Sequence, residues 1–289
     1  MRFINALWVV LWACHAVAVS VQDDTGRTIT LTRPATRVVS LAPHTTELLF
    51  AAGAGAQVVG VSAWSDYPAA ATTLPQVGGA QGLSIERILA LKPDLVVGWA
   101  SGNAARDLAR LRSLEISLFL SEPSTPEDVA ADWLKLGQLT GHEAQARAAS
   151  AQFSARFATL QAQYRHAPSV KVFIQLNAIP LMTVNHKQIL SRLVELCGGR
   201  NVFADLLPLV PQVSVEAVLA KKPDVILTPG PVTALQSWRR WPDLPAVRNQ
   251  QLHGLPDALV SRQGPRLIEG AYAVCHALHE EKKTGIVRQ

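Results

Sequence analysis

Ser84-Ile85-Glu86-Arg87-Ile88-Leu89-Ala90-Leu91-Lys92-Pro93-Asp94 recurs 130 residues later as Ser214-Val215-Glu216-Ala217-Val218-Leu219-Ala220-Lys221-Lys222-Pro223-Asp224. Seven of the eleven positions are identical, and the rest keep a helix-forming pattern. Each copy reads as a helix capped by serine, whose hydroxyl accepts a first-turn N–H. Each helix stops before proline, and aspartate opens a strand. The copies sit at equivalent points of two alternating series. In the first, Arg37–Ala42, Val58–Ala63, Asp94–Ala100 and Ser117–Ser121 read as strands, with helices at Thr45–Ala52, Ser84–Leu91 and Ala104–Ser113 between them. In the second, the strands are Lys171–Leu176, Leu181–Val184, Asp224–Thr228 and Gln251–Leu255, with helices at Ile189–Cys197, Val215–Ala220 and Pro265–Glu280. Strand–helix alternation predicts parallel sheets covered by helices. Its repetition predicts an α/β protein of two similar Rossmann-like lobes.

Thr140-Gly141-His142-Glu143, between the series, has the form of a capping box. From there to His166 no proline or glycine interrupts, and Ala149, Phe153, Phe157, Leu160 and Tyr164 form one apolar stripe at helical spacing. Pro168 stops it. This predicts one stiff helix of about 35–40 Å at 1.5 Å per residue, long enough to run along both lobes. The expected organisation is a leader at 1–18, an N-terminal lobe at 19–140, the connecting helix at 141–167 and a C-terminal lobe at 168–289. Ligands of α/β sheets sit beyond the carboxyl ends of the strands, here in a cleft between the lobes. Lobe closure should be small, because a helix replaces flexible hinge strands.

At 289 residues, 48% apolar and 17% charged, the chain has the composition of a folded protein with a sizeable core. The net charge of +5 is spread without a basic run, which argues against a nucleic-acid partner. Met1-Arg2, the apolar run Phe3–Ala13 and Ala16-Val17-Ala18 read as a secretory leader cleaved after Ala18. A competing cut, Leu11-Trp12-Ala13-Cys14, would lipidate Cys14. The run is too short to span a bilayer. Export leaves two cysteines, Cys197 and Cys275, which form either one disulfide or two separate buried thiols.

No GxxxxGK[ST], HExxH or GxSxG occurs, so nucleotide, zinc-protease and hydrolase signatures are missing. Gly53-Ala54-Gly55 starts a dinucleotide fingerprint that Val58 breaks. The histidines show no pairing that marks a bare-metal site, so no metal is expected. The cleft loops instead carry Trp64, Tyr67 and Trp99, rings suited to a large apolar ligand. His44 lies in the first of these loops, where an imidazole would reach a bound cobalt or iron. The alternative, which we expect, is a first-turn residue facing solvent.

Arg37-Val38-Val39-Ser40-Leu41-Ala42-Pro43, with Thr46-Glu47 and Ala51-Ala52-Gly53, resembles the opening of the helical-backbone periplasmic binding proteins. That family serves ABC importers of cobalamin, haem and ferric siderophores. Gly60-Val61-Ser62, Ser65-Asp66-Tyr67-Pro68, Gln81-Gly82, Gly102-Asn103-Ala104, Cys197-Gly198-Gly199 and Pro211-Gln212-Val213-Ser214 are similar to its cobalamin-binding branch. The resemblance covers nearly all of the chain beyond the leader. It implies a monomeric periplasmic receptor without enzymatic activity or cofactor, carrying a corrinoid, most simply cobalamin, to a permease dimer in the inner membrane. Haem or a ferric siderophore is the alternative cargo; a bare-metal receptor and a chelate-processing enzyme stand further off. The resemblance also implies that Glu86 and Glu216 dock on permease arginines, that Cys197 and Cys275 form a disulfide, and that Asp257 and Arg262 are polar ligand contacts. Trp64 stands where that branch has tyrosine, and Trp99 matches its tryptophan. Ala80, Val210 and Ala258 or Leu259 stand where it has three further tryptophans, so the ligand wall is expected to differ.

Overall fold

Val38-Val39, Leu95-Val96-Val97 and Leu118-Phe119-Leu120 are apolar without alternation, the pattern of strands buried on both faces. The computed structural model describes residues 18–79 and 81–279 and places all three runs in one sheet. A hairpin of β1 (Val19–Gln22) and β2 (Thr28–Leu31) precedes it. β3 (Val38–Ser40), β4 (Val58–Val61), β7 (Leu95–Trp99) and β8 (Leu118–Ser121) then pair in the order β4-β3-β7-β8, all parallel. The small antiparallel pair β5 (Gly78–Gly79) and β6 (Gly82–Leu83) lies between. Helices α1 (Pro43–Ala51), α2 (Ile85–Ala90) and α3 (Ala105–Ser113) make the crossovers.

The C-terminal half repeats the plan. β9 (Val170–Ile174), β12 (Gly199–Asn201), β13 (Val225–Pro229) and β14 (Leu252–Leu255) form a parallel sheet of order β12-β9-β13-β14. Leu181–Val184, expected as a sheet strand, is not in it. Leu181–Met182 (β11) instead pairs with Asn177–Ala178 (β10) in a hairpin above the sheet, and Gly199–Asn201 takes the edge position. The helices are α6 (Ile189–Leu196), α7 (Val215–Lys221), α8 (Pro245–Arg248), α9 (Asp257–Val260) and α10 (Leu267–His279).

The sequence repeat does the same structural work twice. Ser84 caps α2 through Arg87 N, and Ser214 caps α7 through Ala217 N. Lys92 and Lys222 both take left-handed backbone, with φ of 47° and 49°. The Asp94 carboxylate accepts the Arg37 N–H at 2.9 Å, just before β3, and Asp224 accepts the Lys171 N–H at 3.0 Å in β9. Each copy therefore ties the end of a crossover helix to the head of the neighbouring strand.

Two helices join the halves, α4 (Pro126–Thr140) and α5 (Glu143–Tyr164). The capping box read at Thr140–Glu143 is not formed. Thr140 ends α4, its hydroxyl donating back to Leu136 O at 2.7 Å, and Gly141 closes that helix at φ 75°. Glycine reaches this left-handed closing position without strain, so it marks an end here. The capping box belongs to Thr125 and Asp128 instead. α5 has 22 residues and is about 33 Å long. Its Phe153, Phe157 and Leu160 are buried in one core that contains strand residues of both sheets, with Ala149 and Tyr164 packed against it. The Arg156–Glu269 ion pair (3.0 Å) and stacking of Tyr164 on His279 (5.1 Å) fasten α5 to α10. A Cys197–Cys275 disulfide joins the end of α6 to α10.

Near the N-terminal hairpin, Asp132 on α4 is fully buried. Ser121 donates to it at 2.5 Å, and Lys135 bridges it to Asp24 at 3.1 and 2.6 Å. Burial, and then the Asp24 charge, push the Asp132 carboxyl up to about 8.

Candidate functional site

The candidate site lies at the carboxyl ends of the two sheets, where the sequence places its ring-bearing loops. In the N-terminal half, β3 runs straight into α1, and β4 leads to the loop carrying Trp64, Asp66 and Tyr67. Buried hydroxyls lock these two segments together. Thr46 Oγ1 lies within hydrogen-bond distance of Ser40 Oγ at 2.8 Å and of Ser65 Oγ at 3.0 Å, and Ser65 also meets Ser62 at 3.2 Å. On that base Trp64 is 75% exposed and has φ of 66°. A bulky residue in the left-handed region costs on the order of 1–2 kcal/mol, the kind of strain that persists where a side chain is held out for use.

Trp99 ends β7 and is half-buried. Its backbone N–H donates to Asn103 Oδ1 at 2.7 Å, and the Asn103 side-chain amide donates back to Leu41 O at 3.0 Å, closing the loop tightly. Gly102 lies so close to the indole that a Cβ there would sit 1.9 Å from the ring. His44 packs edge-on to Trp99, centroids 5.3 Å apart. The expectation of a solvent-facing His44 is wrong, because its helix starts inside the lobe and leaves the ring 2% exposed. Burial pulls its pKa down to about 3, so the imidazole is neutral. His44 Nε2 and Trp99 Nε1 are both buried without a hydrogen-bond partner.

The C-terminal half carries a set of exposed aliphatic side chains. Ile179 is 90% exposed and Leu207 95%, and Leu209 and Val210 are also exposed in the loop after β12. Asp257 begins α9, is exposed and accepts a hydrogen bond from the Ser261 hydroxyl. Arg262 follows and crosses to the other half, pairing with Glu47 (3.1 Å) and Asp66 (2.5 Å). Arg266 also reaches Glu47, at 2.9 and 2.6 Å, and its guanidinium lies 4.1 Å over the Tyr67 ring. One face of Tyr67 is thus taken by Arg266. The Arg262 hydrogen bond, ahead of the opposing effect of burial, holds the Asp66 carboxyl below its usual range.

The structure therefore brings Trp64, Tyr67 and Arg262 to one junction between the halves, with Trp99 and His44 in the N-terminal wall. Sequence reasoning passed over Glu47, Asp66 and Arg266. Their pairing joins residues about 200 positions apart, and no local pattern announces it. It also gave no role to the proline-broken run Leu206-Leu207-Pro208-Leu209-Val210-Pro211, which is unusually apolar for an exposed loop. Glu86 and Glu216 share no hydrogen bond or ion pair with the residues of this site; each stands exposed in the first turn of its serine-capped helix. The backbone N–H of Glu216, with Ser214, lowers its carboxyl pKa. Among the described residues no three His, Cys, Asp or Glu side chains are grouped to hold a metal ion. A hollow of about 750 Å³ lies elsewhere, beside α5 between Thr125–Glu127 and the end of α6. The leader, Cys14 and Ala80 lie outside the described residues.

A family model for periplasmic binding proteins matches residues 38–259. The vitamin B12-binding protein of Vibrio parahaemolyticus is 36% identical over 252 residues, covering 86% of this chain and 92% of that protein. The crystal structure of the periplasmic vitamin B12-binding protein BtuF of Vibrio cholerae is similar with a TM-score of 0.80 and 38% identity, over 85% of this chain and 97% of that one. The periplasmic heme-binding protein RhuT of Roseiflexus sp. RS-1 is similar with a TM-score of 0.75 and 27% identity, over 85% and 98%.

Proposed function

The chain belongs to the periplasmic binding protein family, and on that premise we propose that it captures cobalamin or a related corrinoid for an ABC importer. The likeness to the Vibrio cholerae vitamin B12-binding protein carries this reading, because it spans both lobes and the helix between them. The cleft chemistry agrees with it. An exposed tryptophan, a second indole and an arginine bridge suit a large ring with a polar rim. We assign ligand contact to Trp64, Tyr67, Trp99, Asp257 and Arg262. His44 supports the wall from behind Trp99 and meets the ligand only if that ring moves. We keep the division into 19–140, 141–167 and 168–289 as a working one, with α4 counted in the first lobe and α5 as the link.

Delivery rests on the symmetric pair of exposed carboxylates, Glu86 and Glu216, one at the start of each repeated helix. Two equivalent acidic tips suit a two-fold permease in the inner membrane. The leader and a monomeric, periplasmic receptor belong to the same reading, with Cys14 as an alternative lipid anchor. The role is binding without chemical conversion of the ligand.

A haem-binding role is the second reading, favoured by the RhuT likeness and by the exposed aliphatic side chains of the C-terminal half. Calorimetric titration of the mature protein with cyanocobalamin, and separately with haemin, decides between them. One-to-one binding of cyanocobalamin supports the corrinoid reading. Haemin binding with no cyanocobalamin heat replaces it with the second.

A further inference from the structure

The ion pairs between the two halves form a graded cluster. Glu47 is buried, with its side chain 1% exposed, and Arg266 grips it with two hydrogen bonds. Arg262 donates from the same nitrogen, Nη1, to Glu47 and to Asp66, and adds Nη2 to Asp66 Oδ2 at 3.3 Å. Asp66 differs from Glu47 in one respect that matters: its side chain is 60% exposed. The cluster holds two carboxylates and two guanidiniums, so it is neutral as it stands.

We propose that Asp66 is a built-in competitor of the ligand for Arg262, and that Arg266, through Glu47, is the positioning residue that keeps Arg262 in reach while the exchange occurs. This rests on the reading of the cleft as the ligand site. The two carboxylates are not equally replaceable. Removing Glu47 from its partners would strip the one fully buried charge of the cluster of its pairing and leave the partly buried Arg266 without a carboxylate, which is strongly unfavourable. Releasing Asp66 returns a carboxylate to water, and an exposed ion pair of this kind is weak. A ligand carrying an oxygen acceptor, such as a carboxylate, a phosphodiester or an amide carbonyl, takes over the outer side of Arg262 without unpairing any buried charge. An anionic acceptor also keeps the cluster neutral. Asp66 stands two residues from the exposed Trp64 on one loop, so the exchange at Arg262 and contact with the indole occur at the same place. The wild-type affinity is then the strength of the ligand's bond to Arg262 less that of the Asp66 pair it displaces.

The test compares wild type, Asp66→Asn, Arg262→Gln and the double variant by calorimetric titration with cyanocobalamin, and with haemin. Asp66→Asn is expected to bind about two- to fivefold more tightly, the range set by an exposed ion pair. That increase is expected to vanish in the Arg262→Gln background. Unchanged or weaker binding by Asp66→Asn overturns the proposal, as does an equal increase without Arg262. Arg266→Lys keeps the charge but loses the fork. It is expected to weaken binding and to suppress the effect of Asp66→Asn; an undiminished effect refutes the positioning role. Urea unfolding of the same variants without ligand separates the two levels of the argument. If wild type takes neither ligand, the functional reading fails. The Asp66–Arg262 pair in the empty protein is then judged by the double-mutant cycle on stability, and additivity there overturns it.

Discussion

Replacing Asp132 with asparagine should change how stability depends on pH. The side chain is fully buried, and burial together with Asp24 raises its pKa from 3.8 to about 8. Between those values the folded chain holds a proton that the unfolded chain has released. Stability from this group is therefore complete below pH 3.8 and is lost as pH rises toward 8. The slope for one proton is about 1.4 kcal/mol per pH unit. From pH 5 to pH 7 that amounts to about 3 kcal/mol. Asparagine accepts the Ser121 hydroxyl as the protonated acid does and has nothing to titrate. Urea unfolding of both proteins at pH 5, 6 and 7 reads the difference. Wild type should lose about 3 kcal/mol relative to the variant across that range, while the contributions of other groups cancel. Parallel stability curves would refute the reasoning. They would mean that Lys135, at 3.1 Å, holds Asp132 ionised across the range and outweighs burial.

Three further outcomes are expected from the structure. Glu86→Ala combined with Glu216→Ala should abolish corrinoid uptake in cells and leave calorimetric affinity unchanged; a loss of affinity would show that these residues do not act at docking. Cys275→Ser opens a loop with a sequence separation of 78 residues. Chain entropy for such a loop predicts a loss of about 4–5 kcal/mol, measured by chemical unfolding. Gly102→Ala drives a methyl group into the Trp99 indole, so affinity for cyanocobalamin should fall about tenfold or more, whereas a variant that binds as wild type would exclude Trp99 from the ligand wall.

The fold was legible wherever local chemistry repeats. Ser84–Asp94 and Ser214–Asp224 predicted two lobes because cap, helix, proline and aspartate each act within a few residues. The apolar stripe through Phe153, Phe157 and Leu160 predicted the helix between them for the same reason. The failures have local causes too. Leu181-Met182-Thr183-Val184 has strand character, but Pro180 and the hairpin with Asn177–Ala178 lift it off the sheet. Gly199-Arg200-Asn201 is too short and too polar to read as a strand, and it becomes one because β9 lies beside it. Thr140 has the side chain of a cap, but Gly141 follows directly, which is the mark of a helix end. For the site, Trp64 and Trp99 stood out as large rings just after strands. Glu47, Asp66 and Arg266 did not, since their meaning comes from ion pairs that form only when the two halves come together. His44 misled because its place in a first turn says nothing about how deep that turn lies.

The stiffness of α5 has a consequence for competition at the membrane. A helix packed into the cores of both lobes and fastened at Arg156 and Tyr164 leaves little freedom for the two acidic tips to change their spacing. With docking proposed at Glu86 and Glu216, an empty receptor and a loaded one offer the permease nearly the same face. On that proposal, unloaded copies would occupy the transporter as readily as productive ones. Uptake would pass through a maximum as receptor concentration rises above that of its cargo, and further expression would slow import by mass action alone.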